Sequence, residues 1–361
     1  MKRFAVIMAG GSGERFWPAS RRARPKQLLK LTDPDLTMLE EAIVRIEPLI
    51  PRENVVVATS EILAEPIRRA LPSLPPQNVL AEPEKKNTAA CLALAAAFLE
   101  LQHGDPAELA MAVLTADHLI GDQNAFRATV DSALSAATEH GTLVTIGVPP
   151  TRPETGYGYV EVEDELAKAA PSLPVAAFRE KPDLETAKTY LASGRHLWNS
   201  GMFFWNVGAL NEGFAKHLPQ LAAARPGMIA ALGGKGDLAA IFASLDDISI
   251  DYGLMERADN VYVIPATLPW DDVGSWDSLA RTRQTDASGN VSTGEPILID
   301  AKDCIVYNAA GADVQAVAVI GVENLIVATT PDGIIVVPKD RAQDVKCAVA
   351  ALRDAKRGKF I

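Results

Sequence analysis

With 361 residues, 48% of them hydrophobic and 22% charged, the chain exceeds one ordinary core, and no run approaches the ~20 apolar residues of a bilayer span. One large α/β domain with a smaller appendix is therefore expected, away from the membrane. The net charge of −11 speaks against a general nucleic-acid surface, and Cys91, Cys304 and Cys347, without a C-x-x-C pair, offer neither a disulfide framework nor a zinc knuckle, so a reducing cytoplasm fits.

In chain order, MKRFAVIMAGG runs an apolar stretch straight into glycines rather than into a cleavage site, which predicts a buried first strand and not a signal peptide. The strands are predicted at Phe4–Ala9, which is this first one, and at Val55–Thr59, Asn78–Leu80, Ala110–Leu114 and Leu143–Val148. Amphipathic helices are predicted at Met38–Ile46, Glu61–Leu71, Thr88–Leu101 and Asn124–Glu139, with Asn87 or Thr88 as N-cap of the third. This alternation predicts βαβ units and a mainly parallel sheet. A second βαβ-like region is expected from strands near Tyr157–Val162, Val175–Phe178 and Met202–Trp205. After about Gln284, TDASGNVSTGEP reads as a linker. The runs ILID, CIVYN, VAVIGV, LIVATT and IIVVP then predict an all-β appendix with the spacing of a few β-helix coils, closed by a helix over Asp340–Arg357.

The first strand leads into AGGSGERFWPASRRARPKQLL, where Gly10, Gly11 and Gly13 precede Arg15, Arg21, Arg22, Arg24, Lys26 and Lys30. Glycines after a strand let backbone N–H groups converge on phosphate oxygens, and Arg15 and Lys26 add full charges. A tight turn without a ligand is the plain alternative. The dinucleotide fingerprint fails for want of a third glycine and a ribose-binding acid, and no G-K-[ST] supports a P-loop.

Together AGGSGERFWPASR, RPKQLL, TADH, GYGYVE, FREKP, WNSGMFFW, SIDYGLME and WDDVGSW resemble, in order over residues 1 to about 283, the bacterial mannose-1-phosphate guanylyltransferases of the sugar-1-phosphate nucleotidyltransferase superfamily. The resemblance implies a Rossmann-like catalytic domain over 1–284, and the runs beyond it make a small β-rich domain with a terminal helix over 294–361. It implies transfer of GMP from GTP to mannose 1-phosphate, giving GDP-mannose and pyrophosphate with Mg²⁺. Catalytic roles fall to Arg15, Lys26, Asp117 and Lys181, and nucleotide contacts to Ala9, Gly10, Gly11, Gly13, Asn87 and Thr88. Sugar contacts fall to Gly158, Glu180, Asn199 and Asp251, and the metal to Asp117 and Asp272.

The plain alternatives are caps or turns for Asp117, Asp272 and Asp251, and loop polarity for Glu180, Lys181 and Asn199. His118 either orients Asp117 or fills the strand end, and Trp198, Phe203, Phe204 and Trp205 read as core. The chain departs from the family pattern at Glu14, usually Thr, and at Thr115, where Pro is usual. An acid at position 14 would repel polyphosphate unless it points away or pairs with an arginine. Isomerase activity, carried by a further domain in bifunctional members, is not expected. The apolar C-terminal runs are a candidate surface for a homo-oligomer. Rival readings are a nucleotidyltransferase for another base or sugar, a non-catalytic sugar-nucleotide sensor, and an NAD-dependent dehydrogenase.

Overall fold

The computed structural model describes residues 1–163 and 171–361. The chain forms two compact units: Met1–Ala9, Ala42–Thr115 and Ile120–Pro269 make the first, and Gly10–Glu41, Ala116–Leu119 and Trp270–Ile361 the second. The elements run β1 (Lys2–Met8), α1 (Met38–Ile46), β2 (Val55–Ser60), α2 (Glu61–Ala70), β3 (Val79–Glu82), α3 (Asn87–His103), β4 (Leu109–Thr115), β5 (Leu119–Ile120), α4 (Gln123–His140) and β6 (Leu143–Val148). They continue with β7 (Gly158–Val162), β8 (Leu173–Glu180), α5 (Leu184–Ser193), β9 (His196–Asn206), α6 (Val207–His217), α7 (Pro219–Leu232), α8 (Leu238–Ala243), β10 (Val261–Pro265), β11 (Trp270–Asp271) and α9 (Leu279–Thr282). The chain closes with β12 (Val291–Thr293), β13 (Ile297–Ile299), β14 (Ile305–Asn308), β15 (Ala318–Ile320), β16 (Leu325–Thr330), β17 (Gly333–Pro338) and α10 (Val345–Asp354).

The first unit holds a nine-stranded sheet in the order β3-β2-β1-β4-β9-β6-β10-β8-β7. β1 is parallel to both neighbours, with Val6 beside Val56 and Val113, and its centre Phe4–Ile7 is fully buried, as a strand covered on both faces must be. β2 and β3 are parallel, as are β6 and β10. The second βαβ-like region is corrected: β7 runs antiparallel to β8 and β9, and β9 antiparallel to β4 and β6. The connection from Val162 to Leu173 is too short for the crossover of a dozen or more residues that a parallel pair needs. The expected cap of α3 is also corrected. Lys86 precedes the helix without a side-chain cap, and the Thr88 hydroxyl instead accepts the Ile250 N–H at 2.8 Å.

α3 is buried from Ala89 to Glu100, and its many alanines allow close packing on every side. That burial places the Glu100 carboxylate among helices. Arg225 of α7 meets it through Nε at 2.8 and 3.0 Å and through Nη2, and Asn211 of α6 donates to Oε1 at 2.8 Å.

In the second unit the spacing of the C-terminal runs proves to be coil spacing. β12, β14 and β16 stack in parallel, with Val291 beside Ile305 and Ile305 beside Ile326, and β13 pairs in parallel with β15. β17 returns antiparallel on β16. The supposed linker is partly strand, since Val291 in β12 is buried against this ladder. The expected terminal helix begins as a 3₁₀ turn over Lys339–Asp344 before α10. Phe16, Leu29 and Met38 from the segment after β1 share one core with Trp276, Ile305, Ile326 and Val345.

Replacing Arg225 by Met should strand the buried Glu100 charge and cost about 2–3 kcal/mol, below the full penalty of a wholly buried pair because Arg225 is partly exposed. Urea denaturation of both proteins at pH 7 checks this, and an unchanged midpoint would contradict the charge argument.

Candidate active site

The chain leaves the first sheet at Ala9, whose N–H donates to Ala58 O at 2.8 Å and whose carbonyl accepts from Thr59 Oγ1 at 2.9 Å. In the second unit Gly10 and Gly11 are exposed, and Gly13 turns the backbone at φ 60°. A Cβ on Gly13 would lie 2.5 Å from Lys26 Cβ and 2.7 Å from Lys26 N, so both conformation and space demand glycine. The loop's carbonyls are held by side chains: Ser20 Oγ donates to Gly13 O at 2.8 Å and Gln27 Nε2 to Gly11 O at 3.3 Å. The 3₁₀ turn Glu14–Phe16 buries Phe16 and leaves Arg15 exposed. Arg21, one of the clustered cations, is taken by Asp332 at 2.7 Å.

Lys26 is almost fully buried and joins distant segments of this unit. Its ammonium lies 2.9 Å from Asp117 Oδ2, donates to the Asp272 backbone carbonyl at 2.8 Å, and sits over the Phe16 ring. Asp117 is placed just beyond β4. Burial opposes its ionisation, but the charges of Lys26 and His118 outweigh that, holding the carboxyl below its ordinary value. His118 packs edge-on to Trp270, whose Nε1 donates to His118 Nδ1 at 3.2 Å.

The two acids of WDDVG separate. Asp271 is buried, paired with Arg281 at 2.9 Å and accepting the Val273 N–H, whereas Asp272 is half-buried and its Oδ1 accepts from Gly274 N at 3.2 Å. Val273, directly after Asp272, holds φ 48°, a left-handed conformation that a β-branched residue adopts only under strain. Among the described residues no three His, Cys, Asp or Glu side chains gather as a metal cage. Lys26 instead joins the Asp117 carboxylate to the backbone carbonyl of Asp272, and one or two carboxylates suit a hard cation that completes its shell with phosphate oxygens and water.

In the first unit the expected sugar residues converge. A Cβ on Gly158 would lie 2.2 Å from Glu180 Oε1 and 3.5 Å from Asn199 Cβ, so this glycine makes room for both side chains. Glu180 is nearly buried and lies 3.4 Å from the exposed Lys181 ammonium, and Lys181 itself is at φ 44°. Asn199 Nδ2 donates to Asp251 Oδ1 at 2.7 Å, while its Oδ1 accepts from Gly201 N at 3.2 Å and Thr145 Oγ1 at 3.3 Å. Burial, reinforced by the Glu180 charge, raises the Asp251 carboxyl to about 6. Asp251 thus does more than cap the turn it opens. Asn87, at φ 63°, and Thr88 join this region through the Thr88–Ile250 bond.

Two groups escaped the sequence reading. Thr145 sits in mid-strand and carries no motif. Glu82, at the carboxyl end of β3, is raised to about 7 by burial, against the opposing effects of a hydrogen bond with Cys91 and the charge of Lys85. An acid at a strand end was the available signal. Trp198, Phe203, Phe204 and Trp205 are all buried, as core residues should be.

The nucleotidyl transferase family profile matches residues 4–289, and that of the MannoseP isomerase/GMP-like beta-helix domain matches 294–352. The xanthan biosynthesis protein XanB of Xanthomonas campestris pv. campestris is 39% identical, across 98% of this chain and 73% of its own length. A mannose-1-phosphate guanylyltransferase of Klebsiella pneumoniae is 39% identical, across 98% of this chain and 75% of its own. A solved structure described as mannose-1-phosphate geranyltransferase from Thermus thermophilus superposes with TM-score 0.87 at 37% identity, covering 98% of this chain and all of that one. The chain belongs to the nucleotidyl transferase family, among the mannose-1-phosphate guanylyltransferases.

Asp251 yields a stability test. Its folded pKa of about 6 lies above the ordinary 3.8, so its favourable contribution is complete below about 4 and lost as pH rises through 6. Asp251→Asn should therefore melt higher than the parent above pH 6, by at most about 3 kcal/mol, and match it below pH 4. Melting curves from pH 4 to 8 check it, and parallel curves would remove the buried charge as the cause.

Proposed function

We propose, on the premise of that family membership, that this chain transfers GMP from GTP to mannose 1-phosphate, releasing pyrophosphate and forming GDP-mannose. The observation that carries the reading is the Lys26 ammonium behind the glycine loop, held between the Asp117 carboxylate and the Asp272 carbonyl. The Thermus protein's description names geranyl transfer, whereas the family profile and the curated relatives name nucleotidyl or guanylyl transfer, and the reading follows them.

A phosphate oxygen of mannose 1-phosphate attacks the α-phosphorus of GTP, a new P–O bond forms, and the bond to the bridging oxygen of the β-phosphate breaks, so pyrophosphate leaves with that electron pair. No covalent enzyme intermediate is required, and the protein's task is to position anions and offset their charge. The N–H groups of Gly10, Gly11 and Gly13 take phosphate oxygens, with the exposed Arg15 beside them. Lys26 commits two of its three N–H donors to Asp117 and Asp272 and directs the third to the leaving pyrophosphate.

Ala9, Asn87 and Thr88 border the nucleotide. Lys181 receives the sugar phosphate, and Glu180, Asn199 and Asp251 hold sugar hydroxyls against the backbone at Gly158. Asp117 and Asp272 are the residues that would hold Mg²⁺, which when bound supplies positive charge to phosphate oxygens. Residues 1–284 then serve as the catalytic domain and 294–361 as the β-rich domain. The exposed Ile297, Ile299 and Ile320 on β13 and β15 give the latter an apolar face for a second copy. No helix among the described residues is long and apolar enough to cross a membrane, and we place the reaction in the cytoplasm.

A matrix of four nucleoside triphosphates against several hexose 1-phosphates, read by pyrophosphate release, should give its largest kcat/KM for GTP with mannose 1-phosphate. A tenfold preference needs only ~1.4 kcal/mol of differential transition-state binding, so neighbouring pairs should show residual turnover. A preference for UTP or dTTP would overturn the assignment of the base.

Asp117→Asn and Asp272→Asn should each lower turnover by about two to three orders of magnitude, as loss of a charge-positioning group does. The double variant should be scarcely worse than the poorer single one, because the two act as a unit. Raising Mg²⁺ should recover part of the single-variant loss. Multiplying losses and indifference to Mg²⁺ would assign the two acids to separate tasks.

A further inference from the structure

We infer that Arg353 of the C-terminal helix is a positioning residue for the nucleotide, acting through Glu14 to keep an acid in the phosphate loop from opposing a polyphosphate substrate; the inference rests on the nucleotidyl transfer reading. Glu14 follows Gly13 directly, and Gly13 is fixed by its contact with Lys26, so the Glu14 backbone cannot drift from the loop. An uncompensated carboxylate there would repel a triphosphate.

Arg353 Nη2 lies 2.8 Å from Glu14 Oε1 and cancels that charge. The C-terminal segment is seated to do so. Val345 of α10 is in the core with Phe16, Trp17 Nε1 donates to the Phe360 carbonyl at 2.7 Å, and Ser12, Trp17, Arg22, Val349 and Ile361 line a cleft together with Glu14. Both side chains of the pair are more than a third exposed, at 36% and 58%, so the pair contributes little to folding, and its effect is on the field at the loop.

The test compares the parent, Arg353→Ala, Glu14→Gln and the double variant, by GTP-dependent pyrophosphate release and by calorimetric titration with inorganic tripolyphosphate. Arg353→Ala should raise both the GTP KM and the tripolyphosphate Kd about threefold to tenfold at low salt, with kcat and melting temperature nearly unchanged, and the penalty should fade at roughly 0.5 M salt. Glu14→Gln should restore parental values in the Arg353→Ala background. An unshifted KM and Kd after Arg353→Ala, or a double variant as impaired as that single one, would overturn the inference. A parent that binds tripolyphosphate yet never turns over GTP would sink the guanylyl reading, while the tripolyphosphate arm would still decide the role of the pair.

Discussion

The buried ammonium of Lys26 is the point on which the second unit's chemistry depends. One charge holds three segments that are far apart in sequence: the loop after β1, the acid beyond β4 and the turn after β11. Such a charge is tolerable away from water only when paired and hydrogen-bonded, and the Asp117 carboxylate and the Asp272 carbonyl meet that condition. The coupling runs both ways. Lys26 keeps Asp117 ionised despite burial, and its backbone dictates a glycine at position 13. Charge balance and loop shape are therefore one constraint in this unit.

The first unit follows a different electrostatic logic. There burial, and then the charge of Glu180 close to Asp251, outweigh the tempering effects of Asn199, the backbone and the exposed Lys181, so Asp251 is pushed up to about 6 while Asp117 is held down. A carboxyl that is part neutral near pH 6 can both donate and accept hydrogen bonds, as recognition of sugar hydroxyls uses, whereas a carboxylate fixed in its ionised form suits a cation. Environment, not residue type, separates the two aspartates.

Much of this was legible in the sequence where the signal is local. The apolar run ending in glycines specified β1 and its loop, and the short β-branched runs after Gln284 marked the parallel coils. Pairings that only folding creates were not legible. The strands at 158–162 and 173–180 have the same composition as parallel ones, and their antiparallel course follows from the length of the connection. Asp271 and Asp272 are adjacent and identical, yet Arg281 claims the first, and no spacing rule announces that. Lys26 reads in the sequence as a cation for phosphate, but nothing local announces its burial, because its partners lie elsewhere in the chain. Glu14 reads as an anomaly, and its explanation sits in the last helix.

That last point bears on the C-terminal strands and helix. Strand composition alone makes them an appendix, but the core they close is the one beneath the phosphate loop. Phe16, two residues beyond Glu14, lies with its ring centroid 5.0 Å from that of Trp276, which in turn is 5.0 Å from that of Tyr307 in β14, and Trp276 Nε1 donates to the Trp17 carbonyl at 3.0 Å. Arg283 Nε reaches back to the Leu31 carbonyl at 2.7 Å and its Nη1 to Thr293 Oγ1 at 2.7 Å, so one guanidinium spans the segment before α1 and strand β12. A loop rich in glycine has little of its own to hold it in one shape. Its order is borrowed from the aromatic core underneath, and much of that core is supplied by residues after Trp270. The C-terminal coils thus limit the conformations that the glycines after β1 can sample, through the core they share with Phe16 and Trp276.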